Sequence, residues 1–308
     1  HHIDLNPRSL EYFVREHKFD ESELWIEPYN RPSYALFQSH SQHVIDTYQL
    51  DRLHLRGQAL ALHRVEGGWV VETSNNKIRA RRIMLATGHQ QLRIPDWAKS
   101  LFYCDAPIQH VLNRQFDTQY IKHDAKIMVI GGGISAGQIA LKLSHNHDVT
   151  LFTRQPLRQH DFDSSPCWLG PACLKSFGQA DYQRRRWMIG EARHPGTLAQ
   201  DVYDDIHEAL EAGTMQYQQG EIIHATMIQD DGIRLTFADG VTHIVNHVVL
   251  ATGLQAIPPR QTWLADAIAR YQLPVANCGY PILDRTLCWS EGLYASGPLA
   301  ELELGPAA

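Results

Sequence analysis

The residues best suited to chemistry in this 308-residue chain lie in one run, "KIMVIGGGISAGQIALKLSHNHDVTLFTRQ", at 126–155. Gly131, Gly133 and Ala136 give the spacing G-x-G-x-x-A. That spacing suits a pyrophosphate. Gly131 permits the tight turn, Gly133 lets phosphates approach the backbone, and Ala136 lets helix and strand pack closely. Ile134 and Ser135 open a helix whose free N–H groups and dipole favour an anion. The competing reading is a glycine-rich turn chosen for packing alone. Thr153-Arg154 closes the run, where an acid would bond a ribose 2′-hydroxyl and mark NAD. An arginine fork suits a 2′-phosphate instead, so NADPH is expected ahead of NADH, unless Arg154 is simply a solvated charge. Arg158 follows a little further on.

The elements around the loop are readable. Ile127–Ile130 is a short apolar run before the glycines, as a buried parallel strand requires. Ala136, Ile139, Ala140 and Leu143 fall at helical spacing and form one apolar stripe. Val149–Thr153 makes the next strand, completing a βαβ unit of the expected length, about 30 residues.

The chain also repeats itself. "RRIMLATGHQ" stands at 81–90 and "NHVVLATGLQ" at 246–255. Before the first lie turns at Gly67-Gly68 and Asn75-Asn76 with strands around them; before the second lie turns at Asp231-Gly232 and Asp239-Gly240. Ile233, Leu235 and Phe237 alternate with Arg234 and Thr236, so one face of that ribbon is buried. Thr87-Gly88 and Thr252-Gly253 end the rising strands, where small residues let a bound ligand pass close. Each half reads as the tail of a nucleotide-binding module, and only the second has a glycine loop ahead of it.

Composition removes other classes. A net charge of −6 provides no basic excess for a nucleic acid partner. The longest apolar runs fall far short of the roughly 20 residues that span a bilayer, and no targeting segment is visible, so a soluble cytoplasmic protein is expected. Cys104, Cys167, Cys173, Cys278 and Cys288 contain no CxxC pair and read as neither a disulfide framework nor a zinc cluster. His40 and His43 lack a third ligand, and the 18 histidines show no HExxH spacing, so no metal site is expected. His1-His2 is either native or a tag remnant. Apolar positions predict helices over 6–19 and 34–50.

Two modules, each with a β-meander and an Ala-Thr-Gly strand, resemble the two-Rossmann flavoproteins that bind FAD and NADPH. Within that group, "HDFDSSPCWLG" (160–170) resembles the Asp-Ser-Pro loop of the N-hydroxylating monooxygenases acting on ornithine or lysine. "YASGPLAELELGP" (294–306) resembles the segment passing the isoalloxazine ring. The resemblance places Ser164 and Ser165 beside NADPH, Gly297, Pro298 and Leu299 at the flavin ring, and Thr87 and Gly88 in the FAD module. A plain Ser/Pro/Gly surface loop is the competing reading of 162–171.

The resemblance implies that NADPH reduces FAD, and that a flavin C4a-hydroperoxide oxygenates a nucleophilic nitrogen or sulfur of a small-molecule substrate. The cofactor carries that chemistry, so no side-chain nucleophile is required and no catalytic residue is named. A flavin reductase of another type stands second; a disulfide reductase is disfavoured because Cys167 and Cys173 lack close redox pairing. A catalytically silent nucleotide-binding protein is the third reading.

One departure matters. Family members open with a strand and GxGxxG that hold the FAD pyrophosphate, whereas residues 1–60 contain only Gly57. The family also continues into a helix where this chain ends at Gly305-Pro306-Ala307-Ala308. The expectation is a first module without its head, and FAD that is weakly held or absent. The expected architecture is α/β, with two Rossmann-like FAD/NAD(P)-binding domains carrying β-meanders. Residues 1–115 plus 254–308 form a discontinuous FAD-type domain, incomplete at both ends, and 122–253 form the NADP(H)-binding domain. Oligomerisation stays open.

Overall fold

The structure is a computed structural model that describes residues 3–17, 19, 24–27, 29–88, 91–228, 232–258 and 261–307. The expectations resting on His1-His2, on residue 18 of the first helix, on the turn residue Asp231 and on the last two residues of the 81–90 repeat lie outside those residues. The chain divides into two compact units, 1–58 with 74–76, and 59–73 with 77–308.

In the first unit, helix Ser9–His17 buries Phe13 and Val14. It shares an apolar cluster with Leu24 and Leu36. Helix Tyr34–Tyr48 starts where the Ser33 side chain accepts the Leu36 N–H, and stops where Gln49 turns left-handed (φ 53°). His40 is buried, and its ring lies 3.0 Å from the Ser9 hydroxyl.

The second unit holds a five-stranded, all-parallel sheet in the order Gln216–Gln219, Asp148–Thr153, Lys126–Ile130, His247–Leu250 and Ile108–His110. The run read as a buried strand is Lys126–Ile130, with Ile127 to Ile130 all buried. Helix Ile134–Ser144 crosses to Asp148–Thr153 as the periodicity predicts. Packing against helix Gln200–Glu211 covers one face of the sheet with Ala136, Ala140, Leu198, Val202 and Ile206. The meander Ile222–Ile228, Gly232–Phe237, Thr242–Val245 covers the other, and the alternation pays off as Ile233, Leu235 and Phe237 in the core. A matching meander, Ala59–Val65, Gly68–Thr73, Lys77–Ala80, precedes the first Ala-Thr-Gly. Strand Ile83–Leu85 then runs parallel to Leu293–Ala295, which pairs in turn with Cys288–Ser290.

Candidate functional site

The glycine loop sits where the central strand meets its helix. An ideal Cβ on Gly131 (φ 147°) would lie 2.4 Å from the Ala251 carbonyl oxygen, so the loop and the second Ala-Thr-Gly exit side by side only because this residue has no side chain. Gly133 is the helix N-cap and brings no side-chain acceptor, and the first turn holds no acid. Ala136 N–H already donates to the Gly133 carbonyl at 2.9 Å, so the Ile134 and Ser135 N–H groups, ahead of it in the first turn, are the donors this end of the helix presents together with its positive dipole. Ile134 is exposed, Ser135 is half-buried, and Ala136 is fully buried against the sheet.

Gly137 was not picked out by the spacing. A Cβ there would fall 2.8 Å from Val202 and 2.9 Å from Ile206, so it is this glycine that admits helix Gln200–Glu211. A G-G-G-x-x-x-G run was the available signal.

Thr153 is buried at the end of its strand, its hydroxyl 2.9 Å from that of Tyr217. Arg154 follows with an exposed side chain, and its carbonyl accepts from Gln219. Arg158 is committed differently, donating to the Pro195 carbonyl at 2.6 Å.

The two repeats meet. Beyond Gly88 (φ 64°) and Gly253 (φ 77°), both positive-φ residues, the chain segments pair: Arg93 N–H donates to the Gly253 carbonyl at 2.9 Å and Gln255 N–H to the Gln91 carbonyl at 2.8 Å. The Thr252 hydroxyl donates to the Arg93 carbonyl and lies 3.3 Å from His110 Nε2. His110 Nδ1 accepts the Leu112 N–H at 3.1 Å, which leaves the proton on Nε2. Burial holds this imidazole below its ordinary pKa against the pull of the Gly253 carbonyl, so it is a neutral donor to the strand exit. No local pattern marked His110, because its partner is 142 residues away.

Thr87 is half-buried just beyond strand Ile83–Leu85. Gly297 (φ 59°) and Pro298 begin a 3-10 turn over Gly297–Ala300, and Leu299 is buried in the core with Leu85, Leu293 and Ala295. Ser296 N–H donates to the Leu85 carbonyl at 2.9 Å, so this turn starts directly beside the first Ala-Thr-Gly.

Ser164 is half-buried and pairs with Arg193, and Ser165 is exposed as the N-cap of a 3-10 turn, Pro166–Leu169. The cysteine reading needs correction here. Cys167 and Cys173 form a disulfide across a sequence separation of 6. The turn and helix Pro171–Gln179 fold the chain back so that the two sulfurs meet, which a CxxC search cannot detect. Behind them, Glu301 is fully buried between Arg186 and Arg193, the latter at 2.8 Å, while Arg185 pairs with Glu303 at 2.8 Å. This joins the segment after Gly297–Ala300 to helix Tyr182–Ala192. Tyr280 lies under Arg186, its hydroxyl pushed upward in pKa by burial and then by the Glu301 charge. Among the described residues no group of three His, Cys, Asp or Glu is arranged to hold a metal, and no helix is long and apolar enough to cross a membrane.

A glycine loop at the carboxyl end of a parallel sheet, a second Ala-Thr-Gly strand and two meanders define the fold of two-domain FAD/NAD(P)-binding flavoproteins. The chain belongs to the pyridine nucleotide-disulphide oxidoreductase family, which matches residues 20–193. A CzcO-like oxidoreductase of Geobacillus kaustophilus is 30% identical over 100 residues, which is 32% of this chain and 28% of that protein. The aligned stretch thus spans under a third of that relative. The fold is similar to the reduced form of ornithine hydroxylase from Pseudomonas aeruginosa (TM-score 0.73, 18% identity, 98% of this chain and 77% of that one). It is also similar to the ornithine N-hydroxylase of Kutzneria sp. 744 (TM-score 0.70, 17% identity, 98% and 79%).

Proposed function

We propose that this chain is an NADPH-dependent flavoprotein monooxygenase that oxygenates a nucleophilic nitrogen or sulfur of a small molecule. The carrying observation is the Gly131–Ala136 loop at the end of the central parallel strand, whose helix has no side-chain N-cap and no acid in its first turn. In this reading 122–253 is the NADP(H) domain, to which strand Ile108–His110 adds an edge, and 1–115 plus 254–308 is the flavin-type domain. Gly131, Gly133, Ile134 and Ser135 hold the diphosphate, Thr153 and Arg154 the adenosine ribose, and Ser164 and Ser165 the nicotinamide end. Thr87, Gly88, Gly297, Pro298 and Leu299 fit a flavin: a Cβ on Gly88 or Gly297 would meet nothing within 4 Å, so a ring can pass close to the backbone. Bound flavin supplies hydride acceptance and oxygen activation. The protein's part is to orient the two rings through Thr252, Gly253 and His110 and to keep water out.

A flavin reductase that acts on disulfides is the second reading, and the Cys167–Cys173 pair is what favours it. One measurement tests the coenzyme and a second separates the readings. Arg154→Ala should weaken NADPH binding by about 1.5–3 kcal/mol, as for a charge-assisted hydrogen bond, and leave NADH unchanged. Equal losses would defeat the 2′-phosphate assignment. With FAD supplied, NADPH oxidation should consume oxygen and yield an oxygenated amine or thioether. Oxidation linked only to disulfide reduction would replace this reading with the second one.

A further inference from the structure

The loop after the second Rossmann strand does not end with Arg154. It is laced to residues 193–198: Leu198 N–H donates to the Arg158 carbonyl at 2.9 Å, His160 N–H to the Leu198 carbonyl at 2.8 Å, and His194 N–H to the Asp163 carbonyl at 2.8 Å. Arg158 clamps the Pro195 carbonyl, and Thr197 donates to the His194 carbonyl at 2.8 Å. The strap so made lies against the phosphate loop. An ideal Cβ on Gly133 would stand 3.5 Å from Gly196 Cα, and one on Gly132 would stand 3.7 Å from the Gly196 carbonyl oxygen. On this strap the imidazoles of His160 and His194 stack with centroids 4.0 Å apart and planes 9° from parallel.

The chemistry of a diphosphate explains the arrangement. The loop Gly131–Ala136 carries no cationic side chain, so its N–H groups alone would face two negative charges. Imidazole N–H groups on the strap add donors that suit diphosphate oxygens. His160 is exposed and His194 half-buried, so the pair is open to ligand and solvent. The charged groups on the elements packed here are Arg154 and Arg158 on the loop, Asp161 and Asp163 beside His160, Arg193 beside His194, and Asp201 on the following helix. Arg193 is taken up by Glu301, and Asp161 accepts the Gln200 N–H at 3.0 Å. The histidine pair therefore brings imidazole donors on the strap that packs against the loop.

We propose that the stacked His160–His194 pair, carried on the strap whose Gly196 packs against the glycine loop, binds the diphosphate of the nicotinamide coenzyme. The proposal rests on the NADPH reading and adds a residue pair to it. ADP-ribose, which has the diphosphate and no 2′-phosphate, and 2′-AMP, which has the reverse, serve as probes in calorimetric titrations of the full chain. His160→Ala with His194→Ala should weaken ADP-ribose binding about fivefold and leave 2′-AMP unchanged. Arg154→Ala should do the opposite, weakening 2′-AMP alone. The single change His194→Gln guards against a folding defect, with the far-ultraviolet spectrum and melting curve as checks. Unaltered ADP-ribose affinity in a folded double variant would overturn the role of the pair. A native chain that binds neither probe would overturn the coenzyme reading itself.

Discussion

Gly131→Ala tests the cradle most directly. The new Cβ would stand 2.4 Å from the Ala251 oxygen and 2.9 Å from its carbonyl carbon. Relief requires about 1 Å of separation, since non-bonded carbons settle near 3.5–4.0 Å. The two strand ends resist it, because Ala251 N–H donates to the Ile130 carbonyl at 2.8 Å and Gly131 N–H to the Phe152 carbonyl at 3.0 Å. A φ of 147° adds a conformational penalty for any L-residue of about 1–2 kcal/mol, on top of roughly 1–3 kcal/mol for overpacking. The expected loss is about 2–5 kcal/mol of stability. It should come with at least a tenfold loss of NADPH affinity, because the same shift misaligns the loop donors from a charged ligand. Gly190→Ala is the control: it lies in helix Tyr182–Ala192, and its Cβ would meet nothing within 4 Å. That change should stabilise by up to about 1 kcal/mol. Urea unfolding and NADPH titration of both variants decide the matter. If Gly131→Ala keeps native stability and affinity, or Gly190→Ala costs as much, the close-approach argument is refuted.

Three further outcomes follow from the same structure. Burial lowers His247 from 6.5 to about 4, with Gln109 Nε2 donating to its Nε2 at 3.2 Å, so the unfolded chain binds the extra proton between those values. Stability from this residue is then full above about pH 6.5 and lost as pH falls toward 4, by about 3 kcal/mol at most; His247→Gln should flatten that limb of a pH–stability profile. Glu301→Ala strands Arg186 and Arg193 and should cost about 3 kcal/mol in denaturant unfolding, whereas breaking the exposed pair Lys99–Asp96 should leave the unfolding midpoint unmoved. Reducing Cys167–Cys173, or replacing both by serine, should remove about 2 kcal/mol, and a thiol titration with and without reductant should differ by two groups per chain.

Much of the nucleotide-binding half was legible because its signals are local. Period-two alternation at Ile233, Leu235 and Phe237, and 3.6-residue periodicity from Ala136 to Leu143, record which face each element buries, and burial selects them residue by residue. The same holds for the Ala-Thr-Gly strand ends, whose small residues mark a crowded exit. Element ends were less exact: the helix expected over 34–50 stops at Tyr48 because Gln49 takes a left-handed turn, which its residue type does not announce.

What the tertiary structure alone decided are pairings between distant residues. Cys167 meets Cys173 because a 3-10 turn and a helix reverse the chain between them. Arg186 and Arg193 close on Glu301 from more than a hundred residues away, and Glu301 is buried completely. His110 acquires its role from Thr252, and His160 from His194. Such contacts leave no periodic trace, since each residue satisfies its own hydrogen bonds and charge only after the sheet has brought two remote segments together. Sequence spacing therefore determined the glycine turn between strand and helix, and the packing of remote loops decided which side chains surround it.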